Sequence, residues 1–207
     1  MTPDVLAAKT RVFDRWAPNY DWLFTTVFYQ AVHQRLLSYV HLPSDSPAAV
    51  LDMGCGTGKL LNRLASQYPQ LQGTGLDLSP EMLRQARSHN GHRPRLIFVQ
   101  GASEAMPFAD HQFRAAFSTI SFLHYPDPQQ VFKEIGRILQ PEGQFYLVDY
   151  TPFFGLGTRQ NMAGLGGPMH FYSSQQRENL AAHAGLICNA HHPLLGPVLL
   201  SVFQKPV

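Results

Sequence analysis

The chain predicts an α/β domain built on a largely parallel sheet. Three observations carry this. Short apolar segments alternate with segments of helical spacing, no linker or internal repeat divides the 207 residues, and the first apolar segment ends in a glycine-rich turn, "VLDMGCGTGKL". Strands that alternate with helices need crossovers between parallel neighbours, and a chain of this length supports one sizeable core.

"AAVLDM" reads as the first strand, and "KLLNRLASQY" follows as a helix with Leu60, Leu61 and Leu64 on one face. "QGTGLDL" is the second strand. The next helix starts at Ser79, whose hydroxyl suits the N-cap, with Pro80 at the first helical position and Glu81 at the positive helix end; it stops near Asn90-Gly91. "RLIFVQ" and "FRAAFSTI" are the third and fourth strands, separated by the loop "GASEAMPFADHQ". Asp127-Pro128 opens a helix whose apolar face is Val131, Phe132, Ile135, Ile138 and Leu139, and "QPEG" turns the chain into the fifth strand, "QFYLVDY".

From Thr151 to Tyr172 the character changes. Five glycines alternate with Phe153, Phe154, Met162 and Met169, and no acidic residue occurs, as in a mobile lid or substrate loop. Ser173 with Gln176 forms a capping-box pattern for a last helix that Gly185 ends. "LICNA" and "VLLSVFQ" are then a closing pair of strands joined by a loop containing Pro and His.

Composition narrows the function. The net charge is +2 and the sixteen Lys and Arg are scattered, so nucleic acid is not expected as a partner. Cys55 and Cys188 show neither metal-ligand spacing nor a disulfide framework, so no metal is expected and a reducing cytoplasm is the simplest setting. There is no signal-peptide pattern at "MTPDVLAAKTRVF" and no apolar run long enough to span a bilayer.

The glycine turn then poses the chemical question. A triphosphate loop fails, because Leu60 follows Gly58-Lys59 and Met53 stands where the earlier glycine belongs. A dinucleotide turn fits in part: Gly54 and Gly56 match its first two glycines, but Lys59 holds the third place. Asp77, at the end of the second strand, suits the ribose of any adenosine cofactor. Asp52 discriminates further, since a carboxylate there would repel a pyrophosphate by ~4 kcal/mol at ~4 Å and an effective dielectric of ~20. The same charge attracts a cation such as S-adenosylmethionine (SAM), with its ammonium and sulfonium.

Together, "VLDMGCGTGKL", "GLDLS", "GASEAMPFAD", "SFLHYPDP" and "LQPEGQFYLVDY" resemble the ordered motifs of class I SAM-dependent methyltransferases, over Val50 to Tyr150. The opening "RVFDRWAPNYDWL" resembles the start of the ubiquinone/menaquinone biosynthesis C-methyltransferase group, whose A-x-x-Y-D segment lies over the cofactor.

The resemblance implies a Rossmann-like, seven-stranded, mostly parallel sheet with helices on both faces and an antiparallel final strand. It implies one domain over 1–207, with a helical cap (1–45), a cofactor core (50–150) and the lid (151–172). By position, Asp52 would face the methionine ammonium, and Gly54, Cys55, Gly56 and Gly58 would let the backbone approach the methionine end. Asp77 would hold the ribose hydroxyls, Leu78 and Met82 would flank the adenine, Ser118 would offer its backbone, and Tyr20 would close over the cofactor. Where the family commonly has an acidic residue after the glycine that follows the third strand, this chain has Gly101-Ala102-Ser103, so adenine recognition falls to backbone amides, Ser103 or Glu104.

"STISFLHY" contains neither Asn-Pro-Pro-Tyr nor Pro-Cys, which disfavours methylation of planar amino groups and of cytosine C5. Methyl transfer draws much of its rate from orientation in a dry pocket. Where a phenol or enol needs a base, His124, His170 and Asp149 are the candidates, with Tyr125 and Tyr172 beside them on the pocket's open side. Cys55 reads as packing, Trp16 and Trp22 as packing for an N-terminal helix, and Lys59 as a solvated helix residue. The aromatic, Met-rich lid, with Arg159 its only formal charge, suits a small, largely apolar acceptor such as a quinone, phenol or lipid. The expectation is SAM-dependent methylation yielding S-adenosylhomocysteine. Two alternatives stand beside it: a SAM-binding protein without catalysis, and a dinucleotide-dependent oxidoreductase.

Overall fold

The computed structural model describes residues 23–43, 46–151, 159–162 and 167–207. Tyr20, Trp16, Trp22, the A-x-x-Y-D segment and much of the expected lid lie outside the described residues.

In chain order the elements begin with helix α1 (Leu23–Leu37), strand β1 (Ala48–Met53), α2 (Lys59–Gln67), β2 (Leu71–Asp77), α3 (Pro80–Ser88) and β3 (Leu96–Gln100). There follow β4 (Phe113–Thr119), a 3-10 turn (Phe122–His124), α4 (Pro128–Ile138), β5 (Leu139–Tyr150) and the hairpin β6 (Arg159–Met162) and β7 (Gly167–His170). The last elements are α5 (Ser174–Ala182), β8 (Ile187–Leu195) and β9 (Val198–Gln204).

Seven strands form one sheet in the order β3-β2-β1-β4-β5-β9-β8, and β6 and β7 pair separately. The first five are parallel, while β9 runs against both of its neighbours. The sheet is therefore the expected seven-stranded one, and its reversed strand is the last in the chain. The strand order changes direction at β1, which opens a crevice beyond the carboxyl ends of β1 and β4 where such sheets bind ligands.

Both faces are covered, and the alternation of side chains along the strands explains why. Val50 meets Val32 and Leu36 of α1, Leu61 and Leu64 of α2, and Leu83 of α3. Leu51 and Met53 point to the other face, with Phe132 and Ile135 of α4 and Ala181 of α5. Helix α1 is tied down by a buried contact, in which Arg63 of α2 donates to His33 Nδ1 at 2.8 Å. Burial first, then the charges of Arg63 and Lys59, lower the His33 pKa to about 3, so the ring is neutral and accepts.

The helix starts follow the sequence closely. Ser79 accepts from the Met82 amide at 3.1 Å, Asp127 accepts from the Gln130 amide at 2.9 Å, and Ser173 and Gln176 form the reciprocal capping box. Two turns differ from expectation. The Pro- and His-containing "loop" near the end is part of β8, which runs through Pro193 to Leu195, leaving a tight turn at Gly196 before β9. Proline is tolerated because β8 is the sheet's edge. "QPEG" is a bulge within β5, where the register to β4 shifts between Phe113 and Ala115. Glu142 there has φ +62°, and a Cβ on Gly143 would lie 2.7 Å from the Gln140 carbonyl.

Candidate functional site

The turn between β1 and α2 is made by three glycines in the left-handed region: Gly54, Gly56 and Gly58, with φ of +64°, +52° and +76°. They serve different ends. A Cβ on Gly54 would meet Ser121 at 2.6 Å, and one on Gly58 would meet the Phe98 ring at 2.9 Å, so those two are closed against protein. Gly56 alone of the three faces open space, with nothing within 4 Å of its missing Cβ. The turn thus has a packed underside and one bare backbone position.

Asp77, at the carboxyl end of β2, braces that position. Its Oδ2 accepts from the Gly56 amide at 2.7 Å and its Oδ1 from the Ser79 amide at 2.9 Å, so one carboxylate links the turn to the start of α3. Asp52 is 2 % exposed at the end of β1. Burial, and next the charge of Asp77, hold its carboxyl well above the usual carboxylate range. A buried acid whose proton affinity is raised by burial and by a neighbouring carboxylate, at the end of the strand that leads into a bare backbone turn, makes a site that a positive charge would relieve. Such a site favours a cationic ligand over a pyrophosphate. Cys55, between Gly54 and Gly56 in the turn, is buried, its thiol pushed up by burial and then by Asp77, which fits packing and not nucleophilic use.

Leu78 follows Asp77 in the chain, and Met82 lies near the start of α3. Leu78 is half-buried and its carbonyl accepts from Gln100 Nε2 at 3.1 Å, while Met82 is buried on α3. Ala102 is half-buried, and its carbonyl accepts from the Ala105 amide at 3.2 Å in a turn that carries the buried Ser103.

Ser118 is fully buried, and its hydroxyl is 2.8 Å from that of Ser121. Ser121 in turn donates to the Met53 carbonyl at 3.1 Å and lies 3.3 Å from the Tyr125 hydroxyl. Tyr125 also hydrogen-bonds Ser103, so its hydroxyl turns inward beneath Gly54, in contrast to the sequence expectation that it lines the pocket's open side. Burial pushes its phenol well above the ordinary range. This hydroxyl chain ties the ends of β1 and β4 to the loop after β3. Ser121 was missed in the sequence; its only signal is its place three residues after Ser118. Thr119, next to Ser118, has a buried hydroxyl with no partner among the described residues.

The three candidates for acid–base work are placed differently. His124 ends the 3-10 turn and His170 ends β7, and those two elements pack against each other. Both are half-buried, and His170 Nδ1 lies 3.4 Å from the Tyr172 hydroxyl. Asp149 is 3 % exposed, and its two oxygens accept from the Leu123 and Tyr150 amides, each at 2.8 Å. Desolvation raises its pKa to about 6, against the opposing charge of Arg177 and its amide donors.

Arg177 also escaped sequence reasoning. It is 1 % exposed, and its guanidinium donates to the carbonyls of Tyr172, Leu199, Asp149 and Tyr150 and to Ser201 Oγ, at 3.0 to 3.1 Å. No sequence signal marks it, because four of its five partners are main-chain atoms.

Comparison with known proteins bears on this geometry. Residues 50–143 match a family model described as a methyltransferase domain. The chain is 32% identical over 181 residues to a malonyl-[acyl-carrier protein] O-methyltransferase of Laribacter hongkongensis, covering 82% of this chain and 60% of that protein. It is 33% identical over 143 residues to a demethylmenaquinone methyltransferase of Chlorobaculum tepidum, covering 67% of this chain and 57% of that one. The chain thus spans less than two thirds of the length of either relative. In fold it resembles an S-adenosylmethionine-dependent methyltransferase from Mesorhizobium loti, with a TM-score of 0.72 at 18% identity over 84% of this chain and 98% of the other.

Proposed function

We propose that the chain is a class I SAM-dependent methyltransferase, as its match to a methyltransferase-domain model and its methyltransferase relatives support, and that it transfers a methyl group from SAM to a small, largely apolar acceptor. One observation carries the cofactor half of this reading: the bare Gly56 position framed by Asp52 and Asp77. SAM supplies an electrophilic methyl on its sulfonium. Asp52 would neutralise the ammonium, Asp77 would accept charge-assisted bonds from the ribose hydroxyls, and the backbone of Gly54, Cys55, Gly56 and Gly58 would accommodate the methionine portion. Leu78 and Met82 flank the adenine, Ala102 and Ser103 border its edge, and Ser118 presents its backbone; Tyr20 is the proposed N-terminal cover.

For the acceptor, the support is an aromatic wall at the end of β5. Phe28 stacks on Tyr150 at 6.2 Å and 7°, and Tyr150 meets Phe171 edge-on at 6.5 Å. Such a wall holds a flat apolar group and excludes water, which aligns a nucleophile with little help from a base. A quinol or phenol fits it. A base, where needed, is His124 or His170. Asp149 acts by positioning, since it holds the 3-10 turn from beneath. The Laribacter and Chlorobaculum relatives are named for acceptors of different chemistry, so acceptor class is the finer question.

A SAM-binding protein without turnover is the second reading, favoured by Ala102 and by the engagement of both Asp149 oxygens. Calorimetric titration with S-adenosylhomocysteine beside NAD tests the first half. Binding of the homocysteine compound alone is expected, weakened at least ~10-fold in Asp77→Ala, since a bond to a charged group contributes about 1.5–3 kcal/mol. Preference for NAD would overturn the reading. Binding without methyl transfer to any quinol, phenol or malonyl thioester would favour the second.

A further inference from the structure

On the far edge of the sheet, four positions from β1, three side chains converge that the reaction does not use. We propose that Glu178, Cys188 and His191 form a binding site for a divalent transition metal, zinc by its ligand chemistry. A metal here departs from the sequence expectation that none is bound.

Cys188 and His191 are three apart on β8, a spacing that in a regular strand would send them to opposite faces. The register to β9 shifts between Cys188 and Ala190, which inserts one residue and turns both side chains the same way. Glu178 on α5 completes the group. His191 Nε2 is 2.9 Å from Glu178 Oε1 and 3.5 Å from Cys188 Sγ, and all three ligand atoms lie within 4.8 Å of one another. Zinc bonds of about 2.0–2.3 Å in a tetrahedron imply ligand separations of about 3.3–3.8 Å, so the sulfur–nitrogen pair is in place and the nitrogen–oxygen pair opens by a few tenths of an ångström.

The shell behind the ligands is built. His191 Nδ1 lies 2.9 Å from the hydroxyl of Ser201, which is fully buried and accepts from Arg177 at 3.1 Å. An imidazole that donates from Nδ1 to Ser201 directs its Nε2 lone pair at the metal, the arrangement by which outer partners orient a histidine ligand. Cys188 binds as thiolate, releasing its proton to solvent, and water fills the fourth position. Nitrogen, sulfur and a carboxylate oxygen together suit zinc better than magnesium or calcium, which prefer oxygen alone. The ion would fasten α5 to the edge strand beside Arg177.

The test uses the full chain, stripped with a chelator and then given Co²⁺ or Zn²⁺ alone. One equivalent of Co²⁺ is expected to give a thiolate-to-metal charge-transfer band, displaced by Zn²⁺. The band should vanish in Cys188→Ser, and in His191→Gln affinity should fall beyond the ~10-fold that loss of an outer partner costs. Zn²⁺ should raise the melting temperature of the wild-type chain and leave that of Cys188→Ser unchanged. No band in the wild-type chain overturns the proposal, whatever the variants do; so does a band that survives in Cys188→Ser. Neither readout involves SAM or methyl transfer.

Discussion

Two polar centres sit at the carboxyl ends of the strands, the glycine turn with Asp52 and Asp77 and the guanidinium of Arg177, and they are built in opposite ways. Every donor direction of Arg177 meets an acceptor within the protein, most of them carbonyls of β5, β9 and the segment before α5. At the turn, burial and the charge of Asp77 hold the Asp52 carboxyl above the usual carboxylate range, and one glycine faces empty space. A saturated centre holds architecture. A strained one with an open side holds a ligand, and the difference is testable by how each spends a substitution.

The largest expected effect is on the saturated side. Arg177→Met leaves several buried carbonyls without donors, and by analogy with a broken buried ion pair it should cost about 3–5 kcal/mol, read as a lower urea midpoint. A loss below ~1 kcal/mol would break the comparison, because the guanidinium would then be no more than one contact among many.

Next comes pH, through Asp149. Its pKa in the fold is raised from 3.8 to about 6, so the fold favours the protonated acid. The associated stability is fully present below pH 3.8 and lost as pH rises through about 6. That loss is on the order of 2–3 kcal/mol by linkage. Urea unfolding between these pH values should show the decline in the wild-type chain and a flatter profile in Asp149→Asn. Equal slopes in both would remove Asp149 from the account.

The smallest effects sharpen the turn itself. Gly58→Ala should destabilise by about 1–3 kcal/mol, since its backbone is left-handed and its Cβ would press the Phe98 ring. Gly56→Ala should cost only about 1 kcal/mol of stability, from its left-handed backbone alone. For S-adenosylhomocysteine the order should reverse, with Gly56→Ala losing more affinity, because its methyl enters the space left for the ligand. If both variants lose affinity only in proportion to stability, Gly56 does not face the cofactor.

Legibility in the sequence followed the range of the signal. β1, the starts of α3, α4 and α5, and the acid at the end of β2 depend on residues within a few positions of one another, and each is where the sequence reading puts it. The misplaced pieces needed a partner far away. Tyr125 turns inward because Ser103 and Ser121 receive it, and the segment through Pro193 is a strand because β9 lies beside it.

The sequence by itself therefore determined the alternation of elements, the helix caps, and the turn with its two carboxylates. Only the tertiary structure decided that Asp149 is held by two amides, that Arg177 gathers four carbonyls, and that a one-residue bulge brings Cys188 and His191 to one face. The physical reason is common to all three. Their partners or their alignment belong to the backbone, and a main-chain amide, carbonyl or register shift carries no residue identity by which a sequence could announce it.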